Sequence, residues 1–206
     1  YWDTGGGELA ITNGNLLLEN GSSVKMSRQG NTGSNAVNHV SGNVTFYSDA
    51  GVTPGGGGNL DLNYAGSALS SNFYQLKGGT LTVPQIIASS GTGSSLFHFN
   101  GGTLKPTASI TNFMQGLTAA KVMVGGAKVD TTNLNITIAQ PLLNGDSLGG
   151  GLNKLGAGRL TLATHHIARR RHRAGNHAQH TLACGRGALA MYDDLATVVR
   201  LFPGKI

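Results

Sequence analysis

The chain is poor in the residues that most enzymes and small secreted domains rely on. Of its 206 residues one is cysteine, 6% are aromatic and 12% are charged, the charged share being about half the usual one. The single Cys184 excludes an internal disulfide framework and a cysteine-rich zinc site. No run approaches the ~18 apolar residues of a membrane-spanning helix, so no such span is expected. Glycine, by contrast, takes 33 positions, about twice its ordinary share. It follows no G-X-Y period, which excludes collagen. A chain rich in Gly, Asn, Ser and Thr and dense in turns points to an all-β architecture built by repetition.

The formal net charge of +6 belongs almost wholly to one end. Residues 1–163 carry six Lys and two Arg against seven acids, a net of +1. Residues 164–206 carry six Arg and one Lys against Asp193 and Asp194, a net of +5, and hold five of the seven histidines. Only four of the 33 glycines fall there. Two compositions this different predict a long repetitive segment, 1–163, and a basic tail, 164–206. The opening Tyr1-Trp2-Asp3 has neither methionine nor a signal-like region, so the sequence reads as a fragment of something longer.

Strand-like runs recur along the long segment: Asn15 to Leu18, Asn43 to Phe46, Asn59 to Leu62 and Leu134 to Ile138. Most alternate at period two between Gly and Asn turns. A larger repeat overlies them. Tyr74-Gln75-Leu76 leads to Gly78-Gly79-Thr80-Leu81, Phe97-His98-Phe99 to Gly101-Gly102-Thr103-Leu104, and Val122-Met123-Val124 to Gly125-Gly126-Ala127-Lys128-Val129. A strand, a glycine corner and a second strand every 23–24 residues suit one coil of a parallel β-helix, or β-solenoid. Stacking then predicts an inward column Leu76, Phe99, Val124 and a second column Leu81, Leu104, Val129. The third coil fits only with a one-residue slip that puts Gly126-Ala127 where the others have Gly-Gly. A β-sandwich is the alternative reading of the same strands.

The run Gly150-Gly151-Leu152-Asn153-Lys154-Leu155-Gly156-Ala157-Gly158-Arg159-Leu160-Thr161-Leu162 resembles the opening of the autotransporter-associated β-strand repeat, also called the passenger-associated transport repeat. The matching positions are Gly151, Leu152, Lys154, Gly156, Gly158, Leu160, Thr161 and Leu162. The specific match covers 150–162 and a looser one about 70–162. The resemblance implies a parallel β-helix, a place outside the cell or on the bacterial surface, and coils that assist export. It further implies as partners an outer-membrane translocation machinery or a β-barrel domain elsewhere in the parent chain. The second half of the repeat does not follow Leu162.

Chemical motifs are sparse. Seven single carboxylates over 163 residues offer no clear acid–base pair, and Asp61 and Asp130 would meet only by accident of stacking. Gly55 to Asp61 resembles a calcium-binding nonapeptide but fits it poorly and does not recur. Asn20, Asn43 and Asn135 match the N-glycosylation pattern, which Asn/Thr-rich chains produce by chance. His39 and His98 stand isolated, and His98 alternates with Phe97 and Phe99, facing away from them toward solvent. In the tail, Arg169 to Arg173 could neutralise phosphates, but no aromatics or nucleic-acid module accompany them. His177, His180 and Cys184 fit no common zinc spacing. Leu189, Tyr192, Leu195, Val199 and Phe202 share one face of a short helix expected over 188–202, ended by Pro203-Gly204.

These readings predict a structural, export-assisting passenger segment with no catalytic, cofactor or metal site, and with neither nucleic acid nor a membrane span as partner. A surface or matrix ligand, and hence adhesion, stays open. A carbohydrate-binding or carbohydrate-cleaving β-helix is the alternative. The abrupt change past Leu162 reads as a shifted coding frame from about 164 onward, which the underlying DNA would reveal by restoring a Thr/Gly-rich alternating pattern in another frame.

Overall fold

The computed structural model describes residues 6–27, 32–47, 58–90, 92–147, 150–162, 189–191 and 197–200. Short strands follow one another in threes. The first coil holds β1 (Gly6–Ile11), β2 (Asn15–Leu18) and β3 (Val24–Lys25), and the second holds β4 (Ser34–His39), β5 (Asn43–Phe46) and β6 (Leu60–Asp61). The third holds β7 (Ser71–Leu76), β8 (Thr80–Val83) and β9 (Ile86–Ile87), and the fourth β10 (Ser94–Phe99), β11 (Thr103–Pro106) and β12 (Ile110–Gln115). The fifth holds β13 (Ala119–Val122), β14 (Ala127–Asp130) and β15 (Ile136–Ile138), and the sixth β16 (Leu142–Asn144), β17 (Gly151–Leu155) and β18 (Leu160–Leu162). Two further strands, β19 (Leu189–Met191) and β20 (Thr197–Arg200), come from the tail.

First strands pair with first strands, second with second and third with third, so three sheets run the length of the stack. Within the six coils every pairing is parallel, as it must be when each strand meets its counterpart one full turn later. The chain is a parallel β-solenoid of about six coils. Coil length varies with the corners. Ser71 pairs with Ser94 and Leu96 with Ala119, whereas Ser34 pairs with Ser71 across a much longer second coil. The described residues before Ser71, which share composition but no motif with the later coils, nevertheless supply the strands of the first two turns in register with them.

Alternation builds the core. In β7 and β10 every second residue is buried, placing Asn72, Tyr74 and Leu76, then Ser95, Phe97 and Phe99, inside. Ile11, His39, Leu76, Phe99 and Val122 stack in one inward column, with Asn144 next above. The expected member Val124 is not in it: that side chain is 57% exposed, while Val122 is fully buried. The reason is corner length. Five positions separate Leu76 from Leu81 and Phe99 from Leu104, but seven separate Val122 from Val129. Met123 keeps the place of Asn100, its N–H donating to the Phe99 carbonyl as Asn100 does to Leu76, so the two extra residues are Val124 and Gly125, both exposed at the corner. The second column follows the one-residue slip, with Leu16, Val44, Leu81, Leu104, Val129 and Lys154 in register.

Glycine at these corners has a steric cause. Gly79 sits at φ +66°, and a Cβ on it would collide with the carbonyl oxygen of Gly42 in the coil below. Stacking at ~4.8 Å leaves no room for a side chain where the backbone itself turns inward over its neighbour.

The helix expected over 188–202 does not form at the residues described there. Leu189–Met191 pairs antiparallel with β18, and Thr197–Arg200 pairs antiparallel with β17. The last coil exposes strand edges whose unpaired N–H and C=O groups outweigh an isolated amphipathic pattern. Antiparallel pairing also means that these strands close the stack rather than continue it. Arg169 to Arg173, His177, His180 and Cys184 lie outside the described residues.

Candidate functional site

Polar groups inside the solenoid are few, and their placement is regular. Asn35, Asn72 and Ser95 occupy one register position on successive coils, each nearly or fully buried. Asn72 Oδ1 accepts hydrogen bonds from Asn35 Nδ2 at 2.8 Å and from Ser27 Oγ at 2.7 Å. One coil on, Ser95 and Thr118 exchange backbone-to-hydroxyl bonds at 3.0 and 3.1 Å, and Gln140 Oε1 then accepts from the Leu117 N–H at 3.0 Å. This is an internal polar ladder along the corner that enters the first sheet. It satisfies groups that would otherwise be stranded in an apolar core, where each would cost about 1–3 kcal/mol, while Asn35 Oδ1 and Asn72 Nδ2 stay buried without a partner. The signal for it lies in the repeated pairs Ser34-Asn35, Ser71-Asn72 and Ser94-Ser95, which the Gly-Gly spacing overshadows.

Replacing Asn72 with Ala removes the acceptor of both Ser27 and Asn35 and leaves them only their mutual bond, Asn35 Nδ2 to Ser27 Oγ at 3.2 Å, so the variant is expected to lose about 1–3 kcal/mol in denaturant unfolding. Asn72→Ser should lose less, because Ser95 holds the same position in the next coil. Equal stability of Asn72→Ala and the parent would mean that the ladder contributes nothing.

Asp61 and Asp130 are not brought together. Asp61 is buried and held by its own corner and the next coil's: Oδ1 accepts from the N–H groups of Asn63 and, one coil on, Ser89, each at 3.1 Å, and Oδ2 from the Ser89 hydroxyl. Asp130 lies on the outer row of the second sheet, 3.9 Å from Lys105 Nζ on the adjacent coil. Neither faces a second carboxylate. Among the described residues no group of three His, Cys, Asp or Glu side chains could hold a metal ion, and no helix is long and apolar enough to cross a membrane.

The two histidines differ from their expected settings. His98 does face away from Phe97 and Phe99, but it is half-buried, stacked on Phe73 with ring centroids 6.0 Å apart. Burial, and secondarily the charge of Lys121, lowers its pKa below the ordinary imidazole value. His39 points inward, between Ile11 and Leu76 in the column.

Outside, an open depression of about 370 Å³ lies on the third sheet, over β12, β15 and β18. Ser109, Asn135 and Arg159 form one row along it, and Thr111, Thr137 and Thr161 another. Its floor is Ile110 and Ile136, and no carboxylate lines it. Such a surface can offer hydrogen bonds to a ligand but no acid–base pair.

Six of the eight positions that match the transport repeat form the core or the corner of the last coil. Leu152, Leu160 and Leu162 are core residues on β17 and β18. Gly156 turns the corner at φ +77°, and at both Gly156 and Gly158 a Cβ would strike the backbone of the coil below, at Thr132 and Leu134. Thr161 lies on the outer face beside Thr137. Lys154 is buried, its Nζ donating to the Gly156 carbonyl at 2.6 Å. The Lys154 ammonium thereby clips the very corner that the glycines form. No family model, no curated protein and no solved structure matches this chain.

Proposed function

We propose that the chain is a structural passenger segment of a secreted or surface-exposed bacterial protein, whose coils assist its own export by stacking as they emerge. The observation that carries this reading is the run Gly151 to Leu162. Its matching residues form two of the three sides of the sixth coil, with inward Leu152, Leu160 and Leu162, a glycine corner, and Lys154 clipped to that corner. Each coil touches only its neighbours, so stacking can proceed one turn at a time and each turn buries apolar surface as it closes. A translocation machinery, or a β-barrel in the parent chain, would supply the pore. The sugar-binding alternative would draw on the Ser/Asn/Thr/Arg depression of the third sheet.

The test joins residues 1–206 to a secretion signal and a translocating β-barrel and follows surface display. The parent should reach the surface in protease-resistant form, and a variant whose core is broken should stall inside. Equal display of both would remove the export role. Saturable binding of a soluble polysaccharide, lost on Thr137→Ala with Thr161→Ala, would favour the alternative.

A further inference from the structure

His39 is the one ionisable side chain in a column otherwise made of Ile11, Leu76, Phe99 and Val122, and it has no exposed surface. Its ring makes two hydrogen bonds: Nε2 lies 3.2 Å from the Gly42 carbonyl oxygen, and Nδ1 lies 3.0 Å from the Tyr74 hydroxyl. A carbonyl can only accept, so Nε2 carries the proton. Nδ1 must then accept from Tyr74. The neutral ring gives the Tyr74 hydroxyl proton its acceptor, whereas a doubly protonated ring could only donate to the Tyr74 oxygen and would leave that hydroxyl proton without one. Tyr74 is itself buried, lies edge-on to His39 and stacks on Phe97 with ring centroids 5.5 Å apart, so packing fixes where its phenol oxygen sits.

We propose that His39 is an acid-sensitive latch: protonation of the imidazole at Nδ1 reverses its bond with Tyr74, leaves the buried Tyr74 hydroxyl proton without an acceptor and opens the second and third coils, leaving the later coils stacked. A proton on Nδ1 makes it a donor, so the Tyr74 hydroxyl must turn its own proton away into the apolar interior to accept, and the column then holds a cation. No described carboxylate is there to compensate. On β1, Glu8 faces outward and accepts from Asn38. On β3, Lys25 points out over the Tyr64 ring. On β6, Asp61 is held by Asn63 and Ser89. On β7, Tyr74 is the only titratable group, and burial keeps its phenol protonated far above neutral pH. The described residues of β2, β5 and β8 carry no ionisable side chain.

The sign follows from which state holds the proton. Burial lowers the pKa of His39 in the closed coil from its ordinary 6.5, partly offset by the Gly42 bond, while the opened coil returns to that value. Above pH 6.5 neither state is charged and stability is full. As pH falls from 6.5 toward the lowered value, the open state takes up a proton that the closed state refuses, and stability is lost. Below the lowered value the loss levels off.

Amide hydrogen exchange on the full chain, corrected for the intrinsic rate, reads this directly at pH 7.5 and 5.0. Opening at β4 and β7 should rise by as much as about 30-fold, the limit for one proton over the 1.5 units below 6.5. Protection at β11 and β14 should change far less. In His39→Gln, whose amide can both accept and donate, the pH response of β4 and β7 should disappear; in His98→Gln it should persist. An unchanged response in His39→Gln, or equal opening of all coils, overturns the proposal. Should His39→Gln not fold, the ring resonances of the parent decide: a His39 that titrates at its ordinary value while β4 and β7 stay protected contradicts the latch, and one that stays neutral until the coils open supports it.

Discussion

Phe99→Asp should abolish folding of the coils around it. Phe99 has no exposed surface, sits between Leu76 and Val122 in the column, and meets the Phe97 ring edge-to-face at 4.7 Å. Removing a buried Phe side chain costs about 3–5 kcal/mol by itself. Burying an unpaired carboxylate adds several more, and the sum rivals the whole stability of an ordinary domain, about 5–15 kcal/mol. Far-UV circular dichroism should show loss of β signal or a thermal midpoint collapsed toward room temperature. Phe99→Leu, which keeps the column apolar, should lose only about 1–3 kcal/mol. Unchanged thermal unfolding of Phe99→Asp would rule out the stack.

The second large effect separates two valines only two positions apart. Val122→Asp should destabilise the fifth coil by about 4 kcal/mol or more, for the same reasons as at Phe99. Val124→Asp should change stability by no more than about 0.5 kcal/mol, since that side chain stands more than half in water at the widened corner. Denaturant midpoints of the two variants suffice to check it. If Val124→Asp were the damaging one, the register of the fifth coil would be off by two residues.

That contrast also marks how far the sequence could be read. Parallel coils, the Gly-Gly corners and the column Leu81, Leu104, Val129 are all visible in the alternation and the 23-residue spacing. Val124 is misplaced because Gly-Gly spacing counts residues along the corner, whereas register is fixed by the strands on either side of it. An insertion of two residues in a corner leaves the strands stacked and defeats the count. The first two coils were hidden for a similar reason. The insertion between Phe46 and Leu60 lengthens the second coil and breaks the period, although Asn43, Val44 and Thr45 still pair with Thr80, Leu81 and Thr82.

Of the polar interior little was legible. His39 stands alone in the sequence because its partners lie one coil away, at Tyr74, or across the corner, at Gly42. Nothing in the local pattern Val37-Asn38-His39 says that the position is enclosed; only the register with Ile11 and Leu76 does so. The tail pattern at 189–200 misled differently. Helical spacing there was real, but an open strand edge nearby offered a better partner than an isolated turn of helix.

The account rests on one geometric claim, that outward residues of successive coils lie in straight rows one strand spacing apart. Thr45, Thr82 and Lys105 form such a row on the second sheet, and the Lys105–Asp130 contact extends it. Nitroxide labels at these positions, placed two at a time in a Cys184→Ser background, measure it by electron paramagnetic resonance. Backbone separations should grow in equal steps, about 5 Å for Thr82 with Lys105, about 10 Å for Thr45 with Lys105 and about 14 Å for Thr45 with Asp130. Distances that do not increase in that order would contradict the stacked solenoid.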